Sequence, residues 1–275
     1  MRGDGIERAV VFPGQGTVGR ETTGPARDAA LAYVGDEVWP YQLSIFAASV
    51  DLLYRLREAG IVPDVVAGHS LGEYAAAHAA GSLSLADGMR LVAERDRLMG
   101  EASRKNPGGM VALIGADPDV VARAAEETGG IVVAANFNTP RQTIVSGQID
   151  ALGEVAERVR GRKVKLEVSG AFHSPLMKGA AREMDALLGE VELEDPEIPM
   201  IGATDGAVLT TAEEVREALR NQMLSAVRWV AVVERLLDLG VREILESGED
   251  GTLTRMLRDF KRKDVEGRTA GEVLS

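Results

Sequence analysis

At 275 residues the chain can bury one large core or two, and 45% hydrophobic with 27% charged residues is the balance of a soluble globular protein. A net charge of −12 and an aromatic content of 4% argue against nucleic acid, anionic membrane surfaces and base-stacking platforms as main partners. The absence of cysteine excludes disulfides, a thiol nucleophile and thiolate metal ligands; with no apolar run near the ~18 residues of a membrane span and no signal-peptide pattern in Met1–Arg8, the expected location is the cytoplasm.

Ala9-Val10-Val11-Phe12 reads as a short buried strand, broken by Pro13-Gly14-Gln15-Gly16. That loop is either a plain turn or a cradle of backbone N–H groups for a phosphate or an oxyanion. Residues 17–37 have weak periodicity and predict a loop with one short helix at most. From Tyr41 to Leu56 the apolar residues Leu43, Phe46, Val50 and Leu53 recur at helical spacing. Val65-Val66-Ala67 then leads into Gly68-His69-Ser70-Leu71-Gly72, which fits G-x-S-x-G, a nucleophile elbow between a strand and a helix. Glycines on both sides permit the tight reversal. Ser70 falls at the start of the next helix, where free N–H groups and the helix dipole favour developing negative charge. A further helix runs from Leu85 to about Ala102. Arg95 shares the inward side of this helix with Val92 and Met99, so it meets either a substrate anion or a structural ion pair.

Past Asn106-Pro107-Gly108-Gly109 the pattern changes. Strands are predicted at Met110–Ile114, Ile131–Phe137, Gln142–Ser146 and Lys163–Val168, with helices at Asp117–Glu127 and Ile149–Arg160. This βαββαβ order is the ferredoxin-like unit, inserted in an α/β core. The expected division is 1–106 with 170–275 as the catalytic core and 107–169 as the inserted subdomain. Gly170-Ala171-Phe172-His173-Ser174-Pro175 places His173 just before a helix reaching about Leu188. The remaining elements are a strand at Ile198–Ile201, a helix at Thr211–Leu224 opened by a Thr211/Glu214 capping box, a helix at Val230–Leu239, a strand at Val241–Leu245 and a helix at Thr252–Phe260. The tail from Lys261 to Ser275 is polar and is expected to fray.

A serine nucleophile needs a base within hydrogen-bond reach, and only His69, His78 and His173 exist. His69 adjoins Ser70 on a bending backbone and should point away; His78 lies two turns along the elbow helix. His173 is left as the base. Three scattered histidines make no zinc site, and Gly14-Gln15-Gly16 completes neither a P-loop nor a dinucleotide fingerprint, so no metal and no cofactor are expected. The residues read as an acyl-transfer enzyme: Ser70 attacks, His173 takes its proton, N–H groups near Gln15 and at Leu71 hold the oxyanion, and Arg95 binds an anionic group.

Phe12-Pro13-Gly14-Gln15-Gly16, Gly68-His69-Ser70-Leu71-Gly72-Glu73, Glu94-Arg95, Asn136-Phe137-Asn138-Thr139-Pro140, Gly170-Ala171-Phe172-His173-Ser174 and Gln222 to Trp229 occur in this order over residues 9–260. On these motifs the chain resembles malonyl-CoA:acyl carrier protein transacylases and the related acyltransferase domains of polyketide synthases. The resemblance implies an α/β-hydrolase-like core with a ferredoxin-like insertion. It implies that Ser70 is malonylated, that His173 is its base, that Arg95 forks onto the malonyl carboxylate, and that Gln15 and Leu71 supply the oxyanion hole. The backbone carbonyl of Gln222 would orient the histidine in place of a triad carboxylate. Phe172 matches the malonyl-selective pattern and would crowd an α-methyl group, and Met99 would line the same pocket. Malonyl-CoA and an acyl carrier protein are the implied partners, with the phosphopantetheine carried by the latter, and the enzyme is expected to be a monomer serving fatty acid or polyketide synthesis. Because carrier proteins are usually acidic, docking would need a local basic patch; Arg160, Arg162, Lys163, Lys165 and Lys178 are the candidates.

The chain departs from the family pattern in three places. The segment between Gly16 and Gln42 is short by roughly twenty residues. Ile201-Gly202-Ala203-Thr204 stands where relatives have an asparagine-containing stretch, and Gly248-Glu249-Asp250 where they have Gly-Pro-Gly. Other readings open at this point are a discrete polyketide acyltransferase of other acyl selectivity, the malonyltransferase component of a malonate decarboxylase, a serine hydrolase or thioesterase, and a non-catalytic carrier-binding module.

Overall fold

The computed structural model describes residues 5–15, 23–34 and 39–275. Gly16 and much of the shortened segment therefore lie outside the described residues. In chain order the first half holds β1 (Arg8–Phe12), α1 (Pro25–Val34), α2 (Tyr41–Glu58), β2 (Val65–Gly68), α3 (Gly72–Ala79) and α4 (Leu85–Lys105). The middle holds β3 (Gly109–Ile114), α5 (Pro118–Glu126), β4 (Val132–Thr139), β5 (Gln142–Gly147), α6 (Ile149–Arg158) and β6 (Arg162–Lys165). The rest holds α7 (Lys178–Gly189), β7 (Met200–Ile201), β8 (Val208–Leu209), α8 (Ala212–Asn221), α9 (Trp229–Asp238), β9 (Glu243–Glu246), α10 (Thr252–Met256), β10 (Glu266–Thr269) and α11 (Ala270–Leu274).

β1 from Ala9 onward and β2 are apolar because both their faces are covered. Val10, Phe12 and Val66 point into the layer formed with α2, α3 and α4, while Ala9, Val11, Val65 and Ala67 point into the layer under α9. The six-stranded sheet has the order β10-β9-β1-β2-β7-β8, with parallel pairings except for the β7–β8 hairpin. The carboxyl ends of β1, β2 and β9 thus open on one edge, where open parallel sheets place their ligands. There they present Pro13-Gly14-Gln15, Ser70 and the Gly248 turn.

β3 to β6 form a separate antiparallel sheet in the order β4-β5-β3-β6, backed by α5 and α6. This is the ferredoxin-like arrangement expected from the βαββαβ order. It is stitched to the core at β4, where the register shifts between Ala134 and Asn136 and again between Phe137 and Thr139. The irregular strand reaches the segment before α9: Val227 N–H donates to Ala135 O (2.8 Å) and Phe137 N–H to Val227 O (2.8 Å).

Sequence signals located the helix starts. Ser84 caps α4 through Asp87 N (3.0 Å), Asp117 caps α5 through Asp119 N (2.8 Å), and Thr211 with Glu214 forms the capping box of α8. Several boundaries differ. The strand expected over 163–168 ends at Lys165, and the chain beyond it turns along the cleft described below. The helix expected from Pro175 opens with a 3₁₀ turn, Pro175–Met177. α8 stops at Asn221, three residues before Leu224.

The tail is a correction. Residues 261–275 do not fray: β10 pairs in parallel with β9 from Glu266↔Glu243 to Thr269↔Glu246, and α11 follows with its own Thr269/Glu272 capping box. The polar composition misled because β10 is an edge strand with Glu266 and Gly267 exposed, while burial is confined to Thr269 and Ala270. No helix among the described residues is long and apolar enough to cross a membrane.

Candidate active site

The elbow is built as its sequence requires. A Cβ on Gly68 would strike the Gly72 backbone, and one on Gly72 would sit on the Phe12 carbonyl, so α3 can start only directly beside β1 and β2. Ser70 is thereby held at φ 52, a left-handed conformation that a non-glycine residue adopts only under tertiary constraint. His173 is the second such residue, at φ 56. The two side chains meet: Ser70 Oγ lies 2.8 Å from His173 Nε2.

His173 Nδ1 lies 2.9 Å from Gln222 O and 3.1 Å from Ser225 O. Carbonyl oxygens only accept, so Nδ1 carries the proton and Nε2 presents its lone pair to the serine hydroxyl. These carbonyls are available because α8 stops at Asn221, which leaves Gln222 O and Ser225 O outside its hydrogen-bond ladder. Burial, and after it the Arg95 charge, pushes the His173 pKa down to about 3, so the imidazole is neutral near pH 7 and able to accept a proton.

Arg95 is fully buried, as its place on the inward side of α4 implied. Its Nη2 donates to Ser70 Oγ (3.2 Å) and to Gln222 Oε1 (3.0 Å), its Nη1 donates to Gln42 Oε1, and the guanidinium lies 5.9 Å from the Tyr74 ring centre. All these partners are neutral, and Nε has no partner among the described residues. The nearby acid, Glu73, is one residue removed. Its Oε2 accepts from Gln222 Nε2 (2.7 Å) and its Oε1 from Ala203 N–H (2.8 Å), and burial raises its pKa. Gln222 Nε2 also donates to Ser70 O at 2.9 Å. Gln222 thus contributes its backbone to the histidine and its side chain to the arginine.

Leu71 N–H takes no hydrogen bond among the described residues, whereas Gly72, Glu73 and Tyr74 N–H are engaged by the carbonyls of His69, Ser70 and Leu71. Gly14 packs against the elbow so closely that a Cβ would meet His69 O at 2.6 Å and Ser70 Cβ at 3.5 Å, which brings the Gln15 loop alongside Ser70. A cleft of about 830 Å³ opens here between the two sheets, lined by Gln15, His69, Phe172, Asn138 and the 166–169 segment, with Thr252, Arg255 and Met256 on the far side. Phe172 lines this cleft. Met99 is buried behind it, with its Sδ 3.5 Å from Gln42 Nε2, so it backs the arginine site and does not line the cleft.

The other histidines are structural partners. His69 points away from Ser70, with Nε2 2.9 Å from Asn138 Oδ1 and its ring edge-on to Trp229, and so ties the elbow to the irregular part of β4. His78 bridges Tyr54 Oη (2.7 Å) and Leu83 O (2.9 Å). Sequence reasoning passed over Gln42, Ser225 and the side chains of Glu73 and Asn138. Gln42 had a signal: it sits four residues before Phe46 on the apolar face of α2, the same kind of anomaly that singled out Arg95.

A family model described as "Acyl transferase domain" matches residues 35–270. The chain is 34% identical over 247 residues to the malonyl CoA-acyl carrier protein transacylase of Bacillus subtilis, covering 87% of this chain and 76% of that protein. It is 33% identical over 283 residues to the Escherichia coli protein of the same name, covering 91% of each. Among solved structures, a malonyl-transacylase in complex with its type II polyketide-synthase acyl-carrier protein superposes with a TM-score of 0.88 at 30% identity, covering 96% of this chain and 95% of that one.

Proposed function

The chain belongs to the acyl transferase domain family, and we propose that Ser70, His173, Arg95 and the N–H groups of Leu71 and Gln15 carry out its reaction. The enzyme transfers a malonyl group from malonyl-CoA to the phosphopantetheine thiol of an acyl carrier protein, for fatty acid or polyketide synthesis. In the first half-reaction Ser70 Oγ attacks the thioester carbonyl while His173 Nε2 takes the hydroxyl proton. The imidazolium keeps its Nδ1–H on the carbonyls of Gln222 and Ser225, which act where a triad carboxylate otherwise would. The tetrahedral oxyanion is received by the Leu71 N–H at the start of α3 and the Gln15 N–H of the loop after β1. Collapse breaks the C–S bond, and the CoA thiol leaves with the proton from His173. In the second half-reaction His173 deprotonates the carrier's thiol, which attacks the malonyl-serine ester, and the proton returns to Ser70.

Arg95 selects the acyl group. A guanidinium can fork onto a carboxylate with two parallel bonds, geometry that a lysine lacks. The single observation that carries this reading is that the buried cation stands 3.2 Å from the nucleophile and, among the described residues, hydrogen-bonds only neutral oxygens. A plain esterase has no use for such a charge. Phe172, on the cleft wall beside His173, favours an unbranched malonyl group over an α-methylated one. The reaction draws on no cofactor bound by the enzyme itself, since the phosphopantetheine belongs to the partner. The whole set comes from one chain, so a cytoplasmic monomer suffices. Exposed basic residues on β6 (Arg162, Lys163 and Lys165), with Arg160 and Lys178, are the candidates for docking an acidic carrier, and β6 runs directly into the 166–169 segment that lines the cleft.

Intact-protein mass spectrometry after incubation with malonyl-CoA tests the reading. A malonyl ester should add about 86 Da, mapped to Ser70 and discharged by holo carrier protein. An adduct that persists in Ser70→Ala, or no adduct on the unaltered enzyme, would refute it.

A further inference from the structure

We propose that Gln42 is a specificity-determining residue: it holds Arg95 in place by a neutral oxygen and so leaves the guanidinium charge free for the acyl carboxylate. The inference rests on reading Arg95 as the carboxylate anchor. Gln42 is 0% exposed in the first turn of α2, with its Oε1 on Arg95 Nη1. Among the described residues its amide nitrogen finds only Met99 Sδ, at 3.5 Å, a weak acceptor. A buried amide served so poorly on one side adds little to stability, and an apolar side chain of the same length would pack better against Met99.

Gln222, the other neutral oxygen on Arg95, is fixed differently. Its Nε2 is tied to Glu73 Oε2 and Ser70 O, which turns its Oε1 toward the guanidinium. The acid of the site is thereby kept one residue away from the cation. A carboxylate at position 42 would remove that separation. It would form a buried ion pair with Nη1, and an incoming malonate would meet a neutralised pair and a like charge. With an amide there, Nη1 is fixed by a neutral oxygen, no carboxylate hydrogen-bonds the guanidinium, and Nε has no partner among the described residues. Gln42 touches neither Ser70 nor His173 among its hydrogen bonds, so its replacement can alter acyl choice without touching the nucleophile.

The test is the ratio of Ser70 acylation rates with malonyl-CoA and acetyl-CoA, read by intact mass, in Gln42→Glu, Gln42→Met and Arg95→Ala. Gln42→Glu should lower the malonyl-to-acetyl ratio about a hundredfold, through the malonyl rate, with acetyl acylation within a few-fold of the unaltered enzyme. Gln42→Met, which keeps the volume beside Met99 but offers no strong acceptor, should lower the ratio about tenfold. An unchanged ratio in Gln42→Glu, or equal loss of both rates, overturns the inference. Should Gln42→Glu fail to fold by circular dichroism, an unchanged ratio in Gln42→Met overturns it instead. Arg95→Ala separates the two levels: if it keeps the ratio, the anchor reading itself fails; if it loses the ratio while both Gln42 variants keep it, only the role of Gln42 fails.

Discussion

His173 shows how one side chain takes its chemistry from its surroundings. An ordinary histidine is half protonated near pH 6.5 and would lose its function as a base below that pH. Burial, joined by the Arg95 charge, takes His173 down to about 3. Its folded pKa lies below its unfolded one, so protonation is resisted throughout the window between them. Single-turnover acylation of Ser70 should therefore stay nearly flat from pH 8 to about pH 5, and a limb centred at 6.5 would contradict the assigned environment. Removing the neighbouring cation should raise the kinetic pKa, so Arg95→Ala with acetyl-CoA as donor should show the acid limb at higher pH than the unaltered enzyme. His173 was singled out in the sequence because there were only three histidines to choose from. Its carbonyl partners were half legible: Gln222 came from the family motif, but Ser225 O is supplied by the place where α8 unwinds, and no propensity pattern marks that place.

At the scale of elements, long periodic helices were read well because one face carries the apolar residues and a capping side chain marks the start. The C-terminal segment was not, because an edge strand needs no apolar alternation when its partner strand supplies the burial. β10 extends the parallel sheet beside β9, α11 packs against α2, and Arg268 joins Arg8 on Glu243. Deleting residues 262–275 removes these together. With four ladder positions at about 0.5–1.5 kcal/mol per hydrogen bond, the loss should be about 2–6 kcal/mol. Differential scanning calorimetry should then show the melting temperature lowered by about 5–20 °C. A frayed tail would leave it unchanged. The same elements matter to the cleft, since α10 lies between β9 and β10 in the chain and Glu246 at the end of β9 accepts from Leu253 and Thr254 N–H, both at 2.9 Å. That carboxylate pins the helix whose start forms one cleft wall.

For the whole molecule, charge is the quantity with a functional consequence. A net charge of −12 repels an acidic carrier at long range, so productive docking depends on local basic residues. β6 supplies three of them on the free edge of the second sheet, immediately before the residues that line the cleft. Reversing Lys163 and Lys165 to glutamate should raise the KM for the carrier protein about tenfold, more at low salt, and leave malonyl-CoA hydrolysis in the absence of carrier unaltered. An unchanged KM would move docking to the opposite lip, where Arg255 lines the cleft and Arg258 and Lys261 are exposed nearby.

Local rules written into the chain determined the elbow, the βαββαβ insertion, the inward arginine and the reaction type. Glycines at 68 and 72 permit a single kind of turn, hydrophobic periods of two and 3.6 name the elements, and a lone cation on an apolar helix face requires an anion. Tertiary structure decided what those groups meet. Gln42 from α2 and Gln222 from the end of α8 are each brought within hydrogen-bond reach of Arg95 from α4 by packing over the same sheet. Whether the guanidinium faces a carboxylate or two amides depends on that long-range convergence. Periodicity reports which face of an element is buried, but not which residue of another element lies against it.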